Sequence, residues 1–300
     1  MKKRTLGTSS IQASEIGFGC MSLPLDPAEA KRIIEEAVSQ GINYFDTADL
    51  YNKGDNEALV GELLKPHRKD LVIATKVGNQ WDPNSDEVKW NATKSYITDQ
   101  VHKSLQRLQT DYIDLYQLHG GMITDDIDET IEAFESLKKD GLIREYGISS
   151  IRPNVINRYL EKSEIASVMM QYSLLDRRPE EYLGMIQSAG PSVVTRGTLA
   201  KGLLTNEGLE RSQKTDGYLA YSKEELGNLL PKLKEVHGNL HALSLHSVLS
   251  HSVIASVVAG ASTSAQIKQT ITAYESPVTS EQIQAARQLT KTEKYTDHLI

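Results

Sequence analysis

The sequence predicts an α/β fold, a closed (β/α)8 TIM barrel with an N-terminal β-hairpin and extra C-terminal helices, forming one domain over residues 1–300. Three observations predict it. Eight short apolar runs are each followed by a segment with helical periodicity, and that alternation points to a parallel sheet. Leu71-Val-Ile-Ala-Thr-Lys76 is almost continuously apolar, as expected of a strand covered on both faces. The chain also exceeds the ~250 residues at which single cores usually stop growing, a limit that barrels escape. Eight units over this length favour the closed barrel over an open doubly wound sheet. The open alternative needs GxGxxG after its first strand, and Gly17-Phe-Gly19 runs on into Cys20, Met21 and Ser22 without the third glycine.

Taken in order, Met1 to Ala13 reads as two short strands around Gly7-Thr8-Ser9-Ser10. Glu15 to Met21 is the first barrel strand, and Pro27 to Gln40 an amphipathic helix with Pro27 in its first turn and Gly41 just past its end. Tyr44 to Asp46 is the second strand, with Asn56 to Leu64 as its helix, stopped by Pro66. Leu71 to Lys76 precedes the helix Ser95 to Leu108. Ile113 to His119 precedes Asp128 to Lys139, which Gly141 ends. Ile143 to Ser149 pairs with the helix Asn154 to Lys162, and Ile165 to Gln171 with Pro179 to Ser188. After Val193 to Arg196 comes a long polar stretch to about Tyr221, then helices at Lys223 to Val236 and Leu240 to Leu249. Val257 to Ala259 is the eighth strand, followed by helices at Ser264 to Ala273 and Ser280 to Leu289 and a polar tail.

Composition narrows the function. Hydrophobic residues make up 39% and charged residues 24%, which is ordinary for a folded globular chain. Net charge is -7 with no basic cluster beyond Lys2, Lys3 and Arg4, so nucleic acid is not expected as a partner. Cys20 is the only cysteine, which rules out an intramolecular disulfide and suits a reducing, cytoplasmic location. Lys2 to Arg4 lead into polar residues instead of a signal core, and the longest apolar run, Val253 to Ala261, is too short to span a membrane. The sequence carries no signal for an oligomeric state.

A barrel gathers its chemistry at the C-terminal ends of its strands. Gly41-Ile-Asn-Tyr-Phe-Asp-Thr-Ala-Asp-Leu-Tyr51 is a strand running into a polar rim, which brings Asp46 and Tyr51 to that end; Lys76 ends the third strand and His119 the fourth. Each alone has a plain explanation as a cap, a half-buried ring, a rim lysine or a core histidine. Together they make a coherent set. A phenol of ordinary pKa, about 10, is a weak acid at neutral pH, and an adjacent ammonium stabilises its phenolate. Asp46 would keep Lys76 charged, and His119 would orient a substrate oxygen. Such a set donates a proton to a developing alkoxide and suits reduction of a carbonyl by hydride, which a cofactor must supply. Asp49 is expected to be a plain loop residue.

The segments GINYFDTADLY, ATKVG, LYQLHG, YGISS and MQYSLLDR, in that order and across nearly the whole chain, resemble the aldo-keto reductase family, in particular its bacterial and potassium-channel β-subunit-like branch. The resemblance implies a (β/α)8 barrel and a tyrosine general acid assisted by lysine, aspartate and histidine. Here those positions are Tyr51, Lys76, Asp46 and His119. It also implies a nicotinamide cofactor across the barrel mouth. Gly19, Cys20, Met21 and Asp46 would border it, Ser149, Ser150 and Gln171 would hold the carboxamide, and Arg196 would stack where many members place an aromatic ring. Ser150 replaces the usual asparagine and shortens its reach.

Gly197, Thr198, Leu199 and Lys201 stand where the family covers the pyrophosphate. Gly197 and Gly202 have P-loop separation, but Leu203 follows in place of lysine, so nucleotide hydrolysis is not indicated. Gly260, Ser262, Thr263, Gln266, Gln269 and Thr270 surround the start of the last barrel helix, an anion-binding end. The Arg or Lys and the Asn that many NADPH-using members carry at positions 263 and 270 are absent. Arg211 or Lys214 would then reach a 2′-phosphate, and NADPH is the expected cofactor with NADH as the alternative.

His237, His241, His246 and His251 are read as solvated helix faces, with no metal site. The leading expectation is reduction of aldehydes or ketones, a small-molecule carbonyl being the substrate. The alternative, motivated by the channel-associated relatives, is a nicotinamide-cofactor sensor with little turnover. An isomerase barrel fits less well, because Tyr-Lys-Asp-His is a poor set for abstracting a proton from carbon. Residues 79–91, with Trp81 and Trp90, and residues 205–221 are the expected specificity loops, the two rings either lining an apolar pocket wall or packing their loop.

Overall fold

The computed structural model describes residues 1–82 and 85–300. The chain opens with an antiparallel hairpin, β1 (Lys3–Thr5) and β2 (Gln12–Ser14), turned at Gly7, where φ is +54° and a Cβ would lie 2.6 Å from the Ala166 carbonyl oxygen. Alternation starts with β3 (Ile16–Gly19) and α1 (Pro27–Ser39). Asp26 caps α1 by accepting from the Glu29 amide, and Gly41, at φ +83°, reverses the chain after it. Next come β4 (Tyr44–Asp46), α2 (Asp55–Leu64) and β5 (Val72–Val77). A second hairpin, β6 (Asn79–Trp81) with β7 (Val88–Trp90), then stands between β5 and α3 (Lys94–Leu108). The chain continues through β8 (Ile113–Leu118), α4 (Ile127–Lys139), β9 (Ile143–Ser149), α5 (Pro153–Lys162), β10 (Ser167–Gln171), α6 (Glu180–Ala189) and β11 (Ser192–Arg196).

The long polar stretch up to about Tyr221 contains α7 (Gly208–Ser212) and a small ladder of β12 (Gly217–Tyr218) with β13 (Tyr221–Ser222). Then follow α8 (Lys223–Val236), α9 (Leu240–Leu249), β14 (Ile254–Gly260), α10 (Ser264–Glu275) and α11 (Ser280–Leu289). Several strand boundaries differ from the sequence expectation, two of them with an evident cause. The first barrel strand stops at Gly19, and Cys20–Ser22 forms a 3-10 turn; the Cys20 carbonyl accepts from Asn56 Nδ2 at 2.8 Å. The last strand starts earlier, because Ser256, which breaks the apolar run, is buried in the ladder opposite Val194.

β3, β4, β5, β8, β9, β10, β11 and β14 pair in parallel in that order, and β14 closes back on β3. The barrel interior is one buried cluster of Tyr44, Val72, Ala74, Leu115, Met169 and Val194 with Leu6, Ile11 and Ala13 of the hairpin, which therefore plugs one end. Phe45, Ile73, Tyr116 and Met170, at the intervening positions, pack against the helices. The strand period of two continues past this apolar layer. Asp46 follows Tyr44, Lys76 follows Ala74, Gln117 follows Leu115, Gln171 follows Met169 and Arg196 follows Val194. The top interior layer is therefore polar.

Candidate active site

Each barrel strand delivers a residue at or just past its C-terminal end to one chamber of 590 Å³: Gly19, Asp46, Lys76, His119, Ser149, Gln171, Arg196 and Gly260. Tyr51 joins them from a one-turn helix after β4. Asn52 and Lys53, at φ +50° and +55°, and Gly54, at +98°, turn the chain sharply between Tyr51 and α2. Asn56, fully buried on α2, accepts from the Thr47 hydroxyl at 2.6 Å and donates to the Cys20 carbonyl, tying the ends of β3 and β4 together beneath the site.

Lys76 is almost wholly buried, and its Nζ donates to Asp46 Oδ1 at 2.5 Å, to the Thr47 carbonyl at 2.7 Å and toward the Tyr51 hydroxyl at 3.4 Å. Gln117 Nε2 reaches the other Asp46 oxygen at 3.4 Å. The imidazole of His119 stands edge-on to the Tyr51 ring, with centroids 6.0 Å apart. All four expected catalytic side chains therefore meet in one place. Thr47 and Gln117, absent from the sequence expectation, complete the shell; the signal for Gln117 was the same alternation that placed His119 two residues later.

Burial pushes the Asp46 carboxyl up and Lys76 pulls it back. Burial also works against the Lys76 ammonium, but Asp46 and then Tyr51 hold it above the ordinary lysine value, so the site keeps its positive charge. Burial, reinforced by Lys76 and Arg196, lowers His119 to about 3. Its Nδ1 has no partner among the described residues. The ring is thus neutral at physiological pH. Asp49 is not the plain loop residue expected. It is buried with Oδ1 unpartnered among the described residues, and burial together with the nearby Glu57 raises it to about 8.

Apart from Cys20, the residues expected to hold a cofactor fall along one continuous cleft. A second chamber of 650 Å³ shares Met21, Ser22, Gly197, Lys201, Val258 and Gly260 with the first and extends past Thr198 and Leu199 to Ser262, Thr263, Gln266, Gln269 and Thr270. Ser149 and Ser150 line the catalytic chamber. The Gln171 amide is fixed at both ends, donating to Asp176 at 2.9 Å and accepting from Arg196 at 2.9 Å. Arg196 is therefore held by an amide, with no surface acid as partner among the described residues. Thr263 caps α10, and Thr270 turns its hydroxyl back to the Gln266 carbonyl. Thr198 is buried, bonding Thr195 and the Tyr172 carbonyl, so its side chain braces the loop. The Thr198 and Leu199 amides have no acceptor among the described residues. Cys20 is fully buried and lines neither chamber. A cleft with free amides, a lysine and a helix N-terminus at one end and a fixed carboxamide at the other fits a nicotinamide dinucleotide.

Arg211 lies in the second chamber, where its guanidinium comes within 3.0 Å of a Cβ built on Gly202. Lys214 lines a neighbouring chamber and is paired with Glu210 at 2.6 Å. The tryptophans pack their loop. Trp81 Nε1 donates to the Leu50 carbonyl, and Trp90 covers Gly78 and Gly120 while donating to Asp125. Residues 83 and 84 of that loop lie outside the described residues. The four histidines correct the expectation of solvated faces. His237 and His246 bond backbone carbonyls, His251 bonds the Tyr172 hydroxyl, and His241 is buried. No group of three or more metal-ligating side chains is found among the described residues, and no described helix is long and apolar enough to cross a membrane.

A profile described as the aldo/keto reductase family matches residues 15–291. The chain belongs to that family. This aldo/keto reductase is similar to an uncharacterized oxidoreductase of Bacillus subtilis, YqkF, at 51% identity over 99% of both chains. It is 30% identical to the NADH-specific methylglyoxal reductase of Escherichia coli over 91% of this chain and 93% of that one. The solved holo form of aldo-keto reductase AKR11C1 from Bacillus halodurans is 54% identical, covers 99% of both chains and superposes with a TM-score of 0.95. As an aldo/keto reductase, the protein is an NAD(P)H-dependent oxidoreductase of small-molecule carbonyl compounds.

Proposed function

We propose that this enzyme reduces aldehydes or ketones to alcohols with NADPH, in the cytoplasm, and that Tyr51 supplies the proton. The observation that carries the reading is the Tyr51 hydroxyl 3.4 Å from a buried Lys76 ammonium that Asp46 holds charged. Bound nicotinamide supplies the hydride. The chain's own groups do the rest. His119, neutral, and Tyr51 bracket the place of the substrate oxygen, and the phenol gives its proton to that oxygen as negative charge builds there. Lys76, itself almost wholly buried, stabilises the phenolate left behind. Ser149, Ser150 and Gln171 would orient the carboxamide, and Thr198, Leu199 and Lys201 the pyrophosphate.

NADPH is favoured by Arg211, whose guanidinium has no carboxylate partner among the described residues and lies in the chamber with Thr263 and Gln266. Glu207 in the same chamber weighs against it, and the name of the Escherichia coli relative is a reminder that the family contains users of NADH. A carbonyl panel run with both cofactors on wild type and Tyr51→Phe tests the proposal. Turnover in the variant should fall by about 100-fold or more while its cofactor affinity stays within about twofold. Unchanged turnover would reject Tyr51 as the acid, and NADH binding about tenfold tighter than NADPH would reject the cofactor assignment.

A further inference from the structure

Asp46 is the one carboxylate among the described residues lining the catalytic chamber, and Lys76 neutralises it. Three more cations, Arg152, Arg196 and Lys201, line the same chamber of a chain whose net charge is -7. Two of them have an evident place. Arg196 donates to Gln171, and Lys201 spans the passage to the second chamber, where phosphates would bind. Arg152 has neither. It lies on the loop between β9 and α5 and has no carboxylate partner among the described residues. Its Nη1 donates to the Gly121 carbonyl, two residues after His119, which fixes the guanidinium over the loop that carries the imidazole. The remaining N–H groups of its planar fork have no acceptor among the described residues. The chamber also has apolar lining, with Ile151, next to Arg152 in the chain, 38% and Met21 64% exposed.

We infer that Arg152 binds an anionic group on the carbonyl substrate, a carboxylate or phosphate, so that the preferred substrates are short oxo acids or phosphorylated aldehydes. A planar guanidinium anchored by one nitrogen presents its remaining donors in the geometry that carboxylate and phosphate oxygens accept bidentately. The anion is unchanged in the reaction: the carbonyl carbon gains the hydride, its oxygen gains the proton, and the charged end only holds the molecule in register. The carbonyl half of this assignment rests on the reductase reading above, and the anion site does not.

Arg152→Gln tests it, because glutamine keeps a side-chain N–H donor while the charge is lost. Wild type should show at least tenfold higher kcat/KM for succinic semialdehyde than for butanal, or for glyceraldehyde phosphate than for glyceraldehyde, and the pair that separates identifies the anion. In Arg152→Gln the KM for the charged member should rise about tenfold or more, that for the neutral member should stay within about twofold, and Arg152→Lys should recover part of the difference. Calorimetry with succinate and with phosphoglycolate, which carry no reducible carbonyl, should show binding to wild type, with and without oxidised cofactor, that Arg152→Gln loses. Equal treatment of charged and neutral aldehydes by wild type, an equal fall for both in the variant, or anion binding that survives the substitution would overturn it. If no aldehyde is turned over, the reductase reading fails, and Arg152-dependent anion binding still decides the site.

Discussion

His119 shows how the interior changes what a residue can do. An exposed histidine titrates near pH 6.5, but burial and the two cations Lys76 and Arg196 bring this one down to about 3. In the proposed mechanism it would act as a neutral hydrogen-bonding group, and the acid limb of kcat/KM for wild type should show no inflection near pH 6.5. A profile with a clear break there, absent in His119→Asn, would assign the proton to the imidazole instead. Asp49 shifts the other way. Its carboxyl carries a proton up to about pH 8, since burial and the neighbouring Glu57 oppose its charge. The DTAD run gave no hint of this. Asp46 and Asp49 look alike in sequence and both are buried, and the Lys76 ammonium bonded to Asp46 is what separates their surroundings.

At the scale of elements, the barrel is organised by alternation. Inward residues are apolar up to one layer and polar in the next, so a strand of three residues, β4, supplies both the plug contact Tyr44 and the site carboxylate Asp46. The other end depends on one side chain. Arg4 donates from Nε to Glu15 at 2.6 Å and from its two terminal nitrogens to the carbonyls of Ile254, His251 and Leu249. Those bonds tie the hairpin to β14 and to the end of α9. Hydrogen bonds to a charged group are worth about 1.5–3 kcal/mol, and Arg4 is partly exposed, so Arg4→Ala should lower stability by about 2–3 kcal/mol in total. Urea unfolding would measure it, and a loss below about 0.5 kcal/mol would mean that Leu6, Ile11 and Ala13 hold the plug by themselves.

For the whole molecule, the buried histidines make stability fall on the acid side, while the Asp49 carboxyl, raised to about 8, works the other way as pH drops from there. His119 and His241 are buried neutral, lowered to about 3 and about 4, whereas in the unfolded chain they titrate near 6.5. Their neutral forms cost nothing above pH 6.5. As pH drops below it the unfolded chain takes up protons at these two rings that the folded one refuses, so their contribution to stability is lost progressively toward pH 4. His241→Asn should flatten this loss by up to about 2 kcal/mol between pH 7 and 5, read as the difference in urea midpoints at the two values. Equal slopes for variant and wild type would place the acid sensitivity elsewhere.

The barrel, its opening hairpin and the meeting of Asp46, Tyr51, Lys76 and His119 at its mouth were legible in the sequence because they follow from local rules. The period of two in each strand, the caps of each helix and the polar residue at each strand end are set by neighbours only a few residues away. The hairpin of β6 and β7, the 3-10 turn at Cys20 and the order within residues 205–221 were not legible. They are fixed by contacts such as Trp90 against Gly120 and Asn56 to the Cys20 carbonyl, which join residues 30 or more positions apart. The same holds for charge. The sequence by itself determined that Asp46, Tyr51, Lys76 and His119 reach the mouth of the barrel, and the tertiary structure alone added Arg152 and set the environment of each group, because desolvation and the nearest opposite charge are properties of the packed interior.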